Sequence, residues 1–257
     1  MKKILVLAWK EIYSFFVSPI AYVVIAGFLL LAGWFFFNLL YRFTYLQTVY
    51  TGFQNFQALQ GLNLNEHVLA PLLHNLSILL VIMVPMITMR AFAEEKRTGT
   101  YELLLTCPLT ASQIVLGKFL GCLFFLSLMI LLTGIYPAIL MLYGNPELGI
   151  LVSGYFGLFL LGVAFVSVGL LTSSLSENQI TAAATCFVIL LLLYVLSWSA
   201  ESAGPFLASI LKYLSVAEHF SELVKGVVDT RGLVYFLTLT LLSLFLAHRC
   251  VEASRWK

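Results

Sequence analysis

Between Arg90 and Gln113 the chain gathers charge that it otherwise uses sparingly. Arg90, Glu94, Glu95, Lys96, Arg97 and Glu102 crowd together in a protein with 26 formal charges in 257 residues. Ala91 to Arg97 reads as a short charged helix stopped at Gly99, since glycine takes up the left-handed turn that ends helices. A second short helix can start at Thr100 and end before Pro108, with Leu103, Leu104 and Leu105 forming an apolar knob beside Glu102. Thr110 and Gln113 then have the spacing of a capping box that opens the next helix. The chemistry on offer is recognition: a compact, rigid, charged element suited to docking against another protein. A solvated connector would have the same composition.

Catalytic chemistry finds little to work with. A phosphate-binding loop needs Gly-x4-Gly-Lys-Ser/Thr, and at Gly117-Lys118 the upstream glycine is replaced by Ser112 and the hydroxyl residue by Phe119. The chain is therefore expected to bind no nucleotide itself. Glu66-His67 with His74, and Glu218-His219 with Glu222, could converge on an ion but lack a recognised ligand spacing, so no metal is expected. No serine-elbow or His-Glu-x-x-His hydrolase motif occurs, and Cys107, Cys122, Cys186 and Cys250 are scattered without a Cys-x-x-Cys pair. No basic run with interleaved aromatics suggests nucleic acid.

The elements that must position this loop are membrane helices. Hydrophobic residues make up 61% of the chain and charged ones 10%, against roughly 25% charged in soluble domains. Crossing the hydrocarbon takes about 20 apolar residues. Six segments qualify: Ile20 to Leu40, Pro71 to Met89, Ile114 to Tyr143, Leu151 to Leu171, Ile180 to Trp198 and Leu233 to His248. Pro85 and Pro137 are expected to kink the second and third. With both termini on one side, Lys and Arg divide ten against four in favour of a cytoplasmic placement of the termini. The loop at 90–113 is then cytoplasmic.

Lys2 and Lys3 followed by apolar residues resemble a signal peptide, but Lys10-Glu11 interrupts them and the stretch reads as retained. Leu5, Ala8, Ile12 and Phe16 fall on one face and Lys3, Lys10 and Ser14 on the other, predicting an amphipathic interfacial helix over residues 1–19 with its lysines toward anionic lipid. An ordinary cytoplasmic start to the first span is the plainer alternative. Residues 41–69 form an amide- and aromatic-rich outer segment that includes Gln54, Asn55, Gln57 and Gln60. Residues 199–232 form a second, with amphipathic stretches at Phe206 to Leu214 and Val216 to Val228. Proton and ion pumps need ionisable groups inside the membrane. Here His74, Lys118 and His248 fall near span ends, so neither a relay nor a buried counter-ion pair is expected, and the energy for transport must come from elsewhere.

The loop pattern Glu95-x3-Gly99-Thr100-x-Glu102-x-Leu104-Leu105-x2-Pro108, after Thr88-Met89-Arg90, resembles the first cytoplasmic loop of ABC-2 type permeases. The likeness extends to Lys10-Glu11 with Phe15-Phe16-x-Ser18-Pro19-Ile20, to Ser173 through Ile180, and to His219-Phe220 with Lys225 through Arg231. That combination is most similar to the gliding-motility-associated permease subunit GldF and its relatives. The resemblance implies an all-α integral membrane protein forming a single ABC-2 type transmembrane domain over residues 1–257. It would have six spans, an amphipathic connecting helix, a coupling helix within Ala91 to Pro108 and short re-entrant outer helices at 199–232. It further implies a bacterial inner-membrane location, a cytosolic ABC ATPase that binds ATP and Mg, pairing with a second copy or a related permease, and a possible periplasmic partner. The ATPase contact is expected from Glu94, Glu95, Lys96, Arg97, Gly99, Thr100, Glu102, Leu104, Leu105 and Pro108, with Gly99 as the hinge. The chain would move an unidentified substrate, by export, and be non-catalytic. A membrane anchor that docks an ATPase without moving cargo is the competing reading.

Overall fold

A backbone surrounded by apolar side chains must satisfy its own hydrogen bonds, and the helix does so within one segment. The computed structural model describes residues 2–53, 61–144, 146–201 and 204–255, and every regular element among them is helical. In chain order these are α1 (Lys2–Val17), α2 (Pro19–Gly52), a π-helical turn (Asn65–Leu69) running into α3 (Ala70–Thr88), α4 (Arg90–Arg97), α5 (Thr100–Thr106), α6 (Ala111–Thr133), α7 (Ile135–Tyr143), α8 (Leu148–Leu175), α9 (Gln179–Glu201), α10 (Pro205–Leu214), α11 (Val216–Val224) and α12 (Thr230–Ala253). Six runs are long and apolar enough to cross a membrane, and they coincide with the six segments expected from sequence.

The helix α2 carries on past Leu40 to Gly52, so the first part of the expected outer segment is helical, including Tyr41, Arg42 and Tyr45. Gln54, Asn55, Gln57 and Gln60 lie outside the described residues. Pro85 sits inside α3, which runs on unbroken to Thr88. The third span is interrupted at Gly134, three residues before Pro137. Proline has no N–H and so frees the carbonyl four residues back, here that of Thr133. Tyr155 on α8 donates its hydroxyl to that carbonyl at 3.1 Å.

The centre of the molecule is α8, against which α3, α6, α9, α11 and α12 all pack. Small residues let neighbouring backbones approach, and α8 supplies them at Gly157, Gly162 and Gly169. A β-carbon added there would stand 2.8 Å from Leu223, 2.7 Å from Leu126 and 2.2 Å from Thr88 respectively. At the end of the bundle away from the 90–113 loop, α10 and α11 occupy the two stretches read as amphipathic. Val216, Phe220 and Leu223 of α11 are buried. His219 is buried with them, its Nε2 3.0 Å from the Tyr213 carbonyl and its ring stacked on Tyr235 at 4.4 Å. His74 meets Phe220 edge to face at 5.5 Å. These histidines take part in aromatic packing.

The helix α1 runs beside the first half of α6. Leu7 lies against Gly117, Glu11 against Gly121 and Phe15 against Phe125, a constant offset of 110 residues over about two turns, so the two helices point the same way. The amphipathic helix is present with Ala8 buried, Ile12 and Phe16 half-buried and Lys3, Lys10 and Ser14 exposed as expected, but its covered face is rotated toward Leu7 and Glu11 and leaves Leu5 outside. Leu7, Ala8 and Glu11 are buried, whereas Leu5 is 63% exposed beside Val6, Trp9 and Tyr13. Nearly two-thirds of the helix circumference is apolar, so residue spacing could not separate the side facing protein from the side facing outward.

Candidate functional site: a docking loop clamped by buried charges

The loop folds as its residues dictate. The helix α4 ends at Arg97, Gly99 adopts φ 71°, and α5 begins at Thr100. A side chain at Gly99 would meet nothing within 4 Å, so its requirement is conformational: L-residues other than glycine are strained at positive φ. Thr98 and Thr100 brace the turn with a 2.9 Å contact between their hydroxyls, and the Thr98 hydroxyl also donates to the Glu94 carbonyl. The capping box at the start of α6 is present in both directions. The Gln113 N–H donates to the Thr110 hydroxyl, and the Thr110 N–H donates to Gln113 Oε1, each at 3.3 Å.

Burial divides the expected contact residues into two groups. Those on α4 point inward or along the surface: Glu94, Glu95 and Lys96 are partly buried, and the Glu95 side chain keeps only 13% of its accessibility. Arg97, Gly99, Thr100, Glu102 and Pro108 are exposed, and Leu104 packs against the core. The side chain of Leu105 lies outside the described part. Leu103, named only as part of the apolar knob, is 67% exposed and points away from the protein. The helix α5 is thus a ridge. On one side a cleft of about 1080 Å³ is lined by Arg97, Tyr101 and Glu102 together with Leu175, Glu177 and Ala253. Adjoining it, and sharing Glu102 and Ser254 with it, a cleft of about 560 Å³ is lined also by Thr106, Pro108 and Arg255.

Every junction of this loop is tied to the bundle. The Ser173 hydroxyl of α8 accepts from the N–H groups of Phe92 and Ala93 at 3.0 and 3.2 Å, satisfying two of the donors that a helix start leaves open. Lys96 donates to the Ser174 carbonyl. Arg90 Nη1 donates to the Ser18 hydroxyl at 2.7 Å, at the joint between α1 and α2. At the far end Lys3 donates to the Pro108 carbonyl at 2.8 Å and Arg255 to that of Leu109.

The most deeply buried tie overturns an expectation. Lys118, two turns into α6, does not reach outward from a span end, and a buried counter-ion set does exist. Its side chain is 1% exposed and its ammonium donates to Glu11 Oε1 at 2.9 Å while lying 2.9 Å from Glu95 Oε1. Lys10 donates to the same Glu95 oxygen at 2.9 Å and stands 3.6 Å from Glu11. Two cations and two carboxylates from α1, α4 and α6 therefore close a neutral cluster. The Phe92 ring lies 5.1 Å from the Lys118 ammonium, a cation–π contact on its remaining side. Burial opposes the charge on Lys10, but the hydrogen bond and attraction to Glu95, helped by Glu11, outweigh it and hold its pKa above the ordinary lysine value. Glu95 Oε2 is buried without a hydrogen-bond partner among the described residues, so its charge is balanced through Oε1.

Sequence reasoning missed Glu11, Lys118 and Ser173. One signal was available: Gly117 and Gly121 flank Lys118 at a four-residue spacing, which marks a groove for a closely packed helix. The glycine beside Lys118, tested above as a phosphate loop, serves to admit Leu7.

Comparison with known proteins agrees with this architecture. Over 149 aligned residues the chain is 31% identical to the probable multidrug ABC transporter permease YbhR of Escherichia coli strain K12, and equally to YbhR of Escherichia coli O157:H7. The alignment takes in 56% of this chain and 39% of each relative, so the chain spans well under half the length of the curated proteins it matches. Residues 5–250, nearly the whole chain, match the family described as ABC-2 family transporter protein, and the chain belongs to that family.

Proposed function

We propose that this chain is the permease subunit of an ABC transporter whose ATP hydrolysis resides in a separate cytosolic subunit, docked on the α4–α5 loop. The observation that carries the reading is the ridge at α5, where an exposed leucine and an exposed carboxylate, Leu103 and Glu102, stand on a loop anchored at both ends, with Glu102 lining two adjoining clefts. An anchored loop transmits force where a solvated connector would absorb it. On this reading α5 is the coupling helix. The ten-against-four division of Lys and Arg supports cytoplasmic termini and a place in a bacterial inner membrane. ATP and Mg belong to the partner.

The apolar helices α2, α9 and α12 leave most of their surface uncovered, which suits lipid together with a second copy or a related permease. A transport path would then form between two permeases, and nucleotide-driven movement of the docked loops would tilt the attached spans. Cargo is unassigned, and export is the direction proposed. The His219-Phe220 and Lys225-to-Arg231 patterns support a place near the GldF-like permeases, where a periplasmic partner, or an anchoring role without cargo, is the second reading.

The test uses the permease co-reconstituted with its cognate ABC ATPase subunit. Glu102→Lys and Leu103→Asp, both on the exposed ridge, are expected to abolish permease-stimulated ATP hydrolysis while membrane insertion stays normal. Stimulation at the wild-type level in both variants would remove the assignment. Uptake into inverted vesicles separates a transporter from an anchor.

A further inference from the structure

The charge cluster lies on α1, α4 and α6 rather than on the exposed α5 ridge, with Glu11, Glu95 and Lys118 largely buried and Lys10 half-exposed. We propose that Lys118, Glu11 and Lys10 are positioning residues that clamp Glu95, so that α1, α4 and the first half of α6 form one rigid lever with α5 as its tip. The proposal rests on the docking reading above and assigns a mechanical role to the N-terminal helix.

Geometry supports a clamp in three ways. First, the contacts are multiple and short: Glu95 Oε1 lies 2.9 Å from both Lys10 and Lys118, whose side chains come from different helices. Losing one cation would leave α4 tied to the other helix. Second, α1 cannot slide on α6. Leu7 and Glu11 occupy the spaces left by Gly117 and Gly121, where a β-carbon would stand 2.7 and 2.6 Å from them, and the Phe15 and Phe125 rings stack at 5.0 Å one turn on. Third, the start of α4 is held separately by Ser173, so the cluster acts on the end of α4 nearest Gly99, together with the Lys96 donation to the Ser174 carbonyl, and thereby on the angle at which α5 leaves. A push on α5 passes through Glu95 into α1 and α6 together. Without the cluster it would be spent in bending the loop. A buried ionic set adds little net stability over apolar packing but is well suited to fixing one arrangement among several.

Two doubly substituted permeases test this, each leaving the cluster neutral. Glu95→Gln with Lys118→Met keeps the Lys10–Glu11 pair but cuts the ionic ties of α4 to α1 and α6, leaving its ties to Ser173 and Ser174. Lys10→Gln with Glu11→Gln keeps the Lys118–Glu95 pair but cuts the ionic tie of α1 to α4, leaving α1 held by its packing on α6. With the native cysteines replaced by serine, spin labels at Ser14→Cys and Arg97→Cys report the α1–α4 distance in the permease alone. The expected result is a narrow distribution that broadens in either double variant. In the complex, ATP turnover at saturation should fall about tenfold or more, the size of a typical coupling energy, with the KM for ATP and co-purification of the ATPase unchanged. A distribution that stays narrow, or full stimulation in a double variant that inserts and co-purifies, would overturn the clamp. Failure of the docking reading looks different: the wild-type permease itself would not stimulate the ATPase, while the label distances would still respond. Should one double variant fail to insert, the other carries the test.

Discussion

The Lys118 ammonium lies 2.9 Å from Glu95 Oε1 across the joint between α6 and α4, with only 1% of the Lys118 side chain exposed. A lysine so deeply enclosed is tolerated because two carboxylates face it. The same arithmetic makes it sensitive to single changes. Lys118→Met removes one of two positive charges and leaves Glu11 and Glu95, with side chains only 11% and 13% exposed, sharing Lys10. Breaking a buried pair from one side costs about 3–5 kcal/mol, and the residual exposure of the carboxylates places this case at the lower end. The expected result is a clear drop in the unfolding midpoint of the purified permease in detergent. Adding Glu95→Gln should restore most of it, since that change removes the uncompensated charge. A single variant as stable as wild type would count against a stabilising ion pair at Lys118.

Close approach of α1 to α6 yields a second expectation. At Gly121 an added β-carbon would stand 2.6 Å from Glu11 Cβ and 3.4 Å from the Ala8 carbonyl oxygen. Both atoms belong to or adjoin the α1 backbone, so no side-chain rotation relieves the contact, and α1 itself must shift. Gly121→Val is expected to destabilise by about 1–3 kcal/mol, the usual penalty for overpacking, and to displace α1. Trp9, 72% exposed on the outward side of that helix, reports the shift through its fluorescence. By contrast, Gly27→Val faces open space and should leave both quantities unchanged.

Local signals made the loop legible. Gly99, the Thr110–Gln113 capping box and the stop before Pro108 act within four residues, and the structure reproduces each of them. The six spans were legible for the same reason, since length and hydropathy suffice. What escaped were pairings across long separations. Lys118 and Glu11 are 107 residues apart, and nothing in the neighbourhood of either announces the other. Lys118 was placed near a span end because α6 alone offers it only two turns of cover, and the covering helix α1 is supplied by a distant part of the chain. Ser173 escaped likewise. A serine near a helix end is ordinary, and its partners, the N–H groups of Phe92 and Ala93, are backbone atoms that carry no sequence signature.

The turn between α4 and α5 separates conformational strain from lost contact. Gly99 has φ 71° and open space around it, so a substitution there removes no packing and creates no clash. The cost is torsional, about 1–2 kcal/mol for an L-residue forced into the left-handed region, and lower for asparagine, which visits that region locally. Gly99→Val should relieve its strain by re-aiming α5, because the start of α4 is tied to Ser173 and its end to the ion cluster, whereas α5 meets the core through Tyr101 and Leu104 and exposes Thr100, Glu102, Leu103 and Thr106. The permease is therefore expected to insert and to unfold at nearly the wild-type midpoint, yet to stimulate its ATPase poorly. Gly99→Asn, able to hold the original angle, should retain most of the stimulation. Equal activity in the two variants would mean that the direction of α5 is immaterial to coupling, and that the ridge acts through its side chains alone.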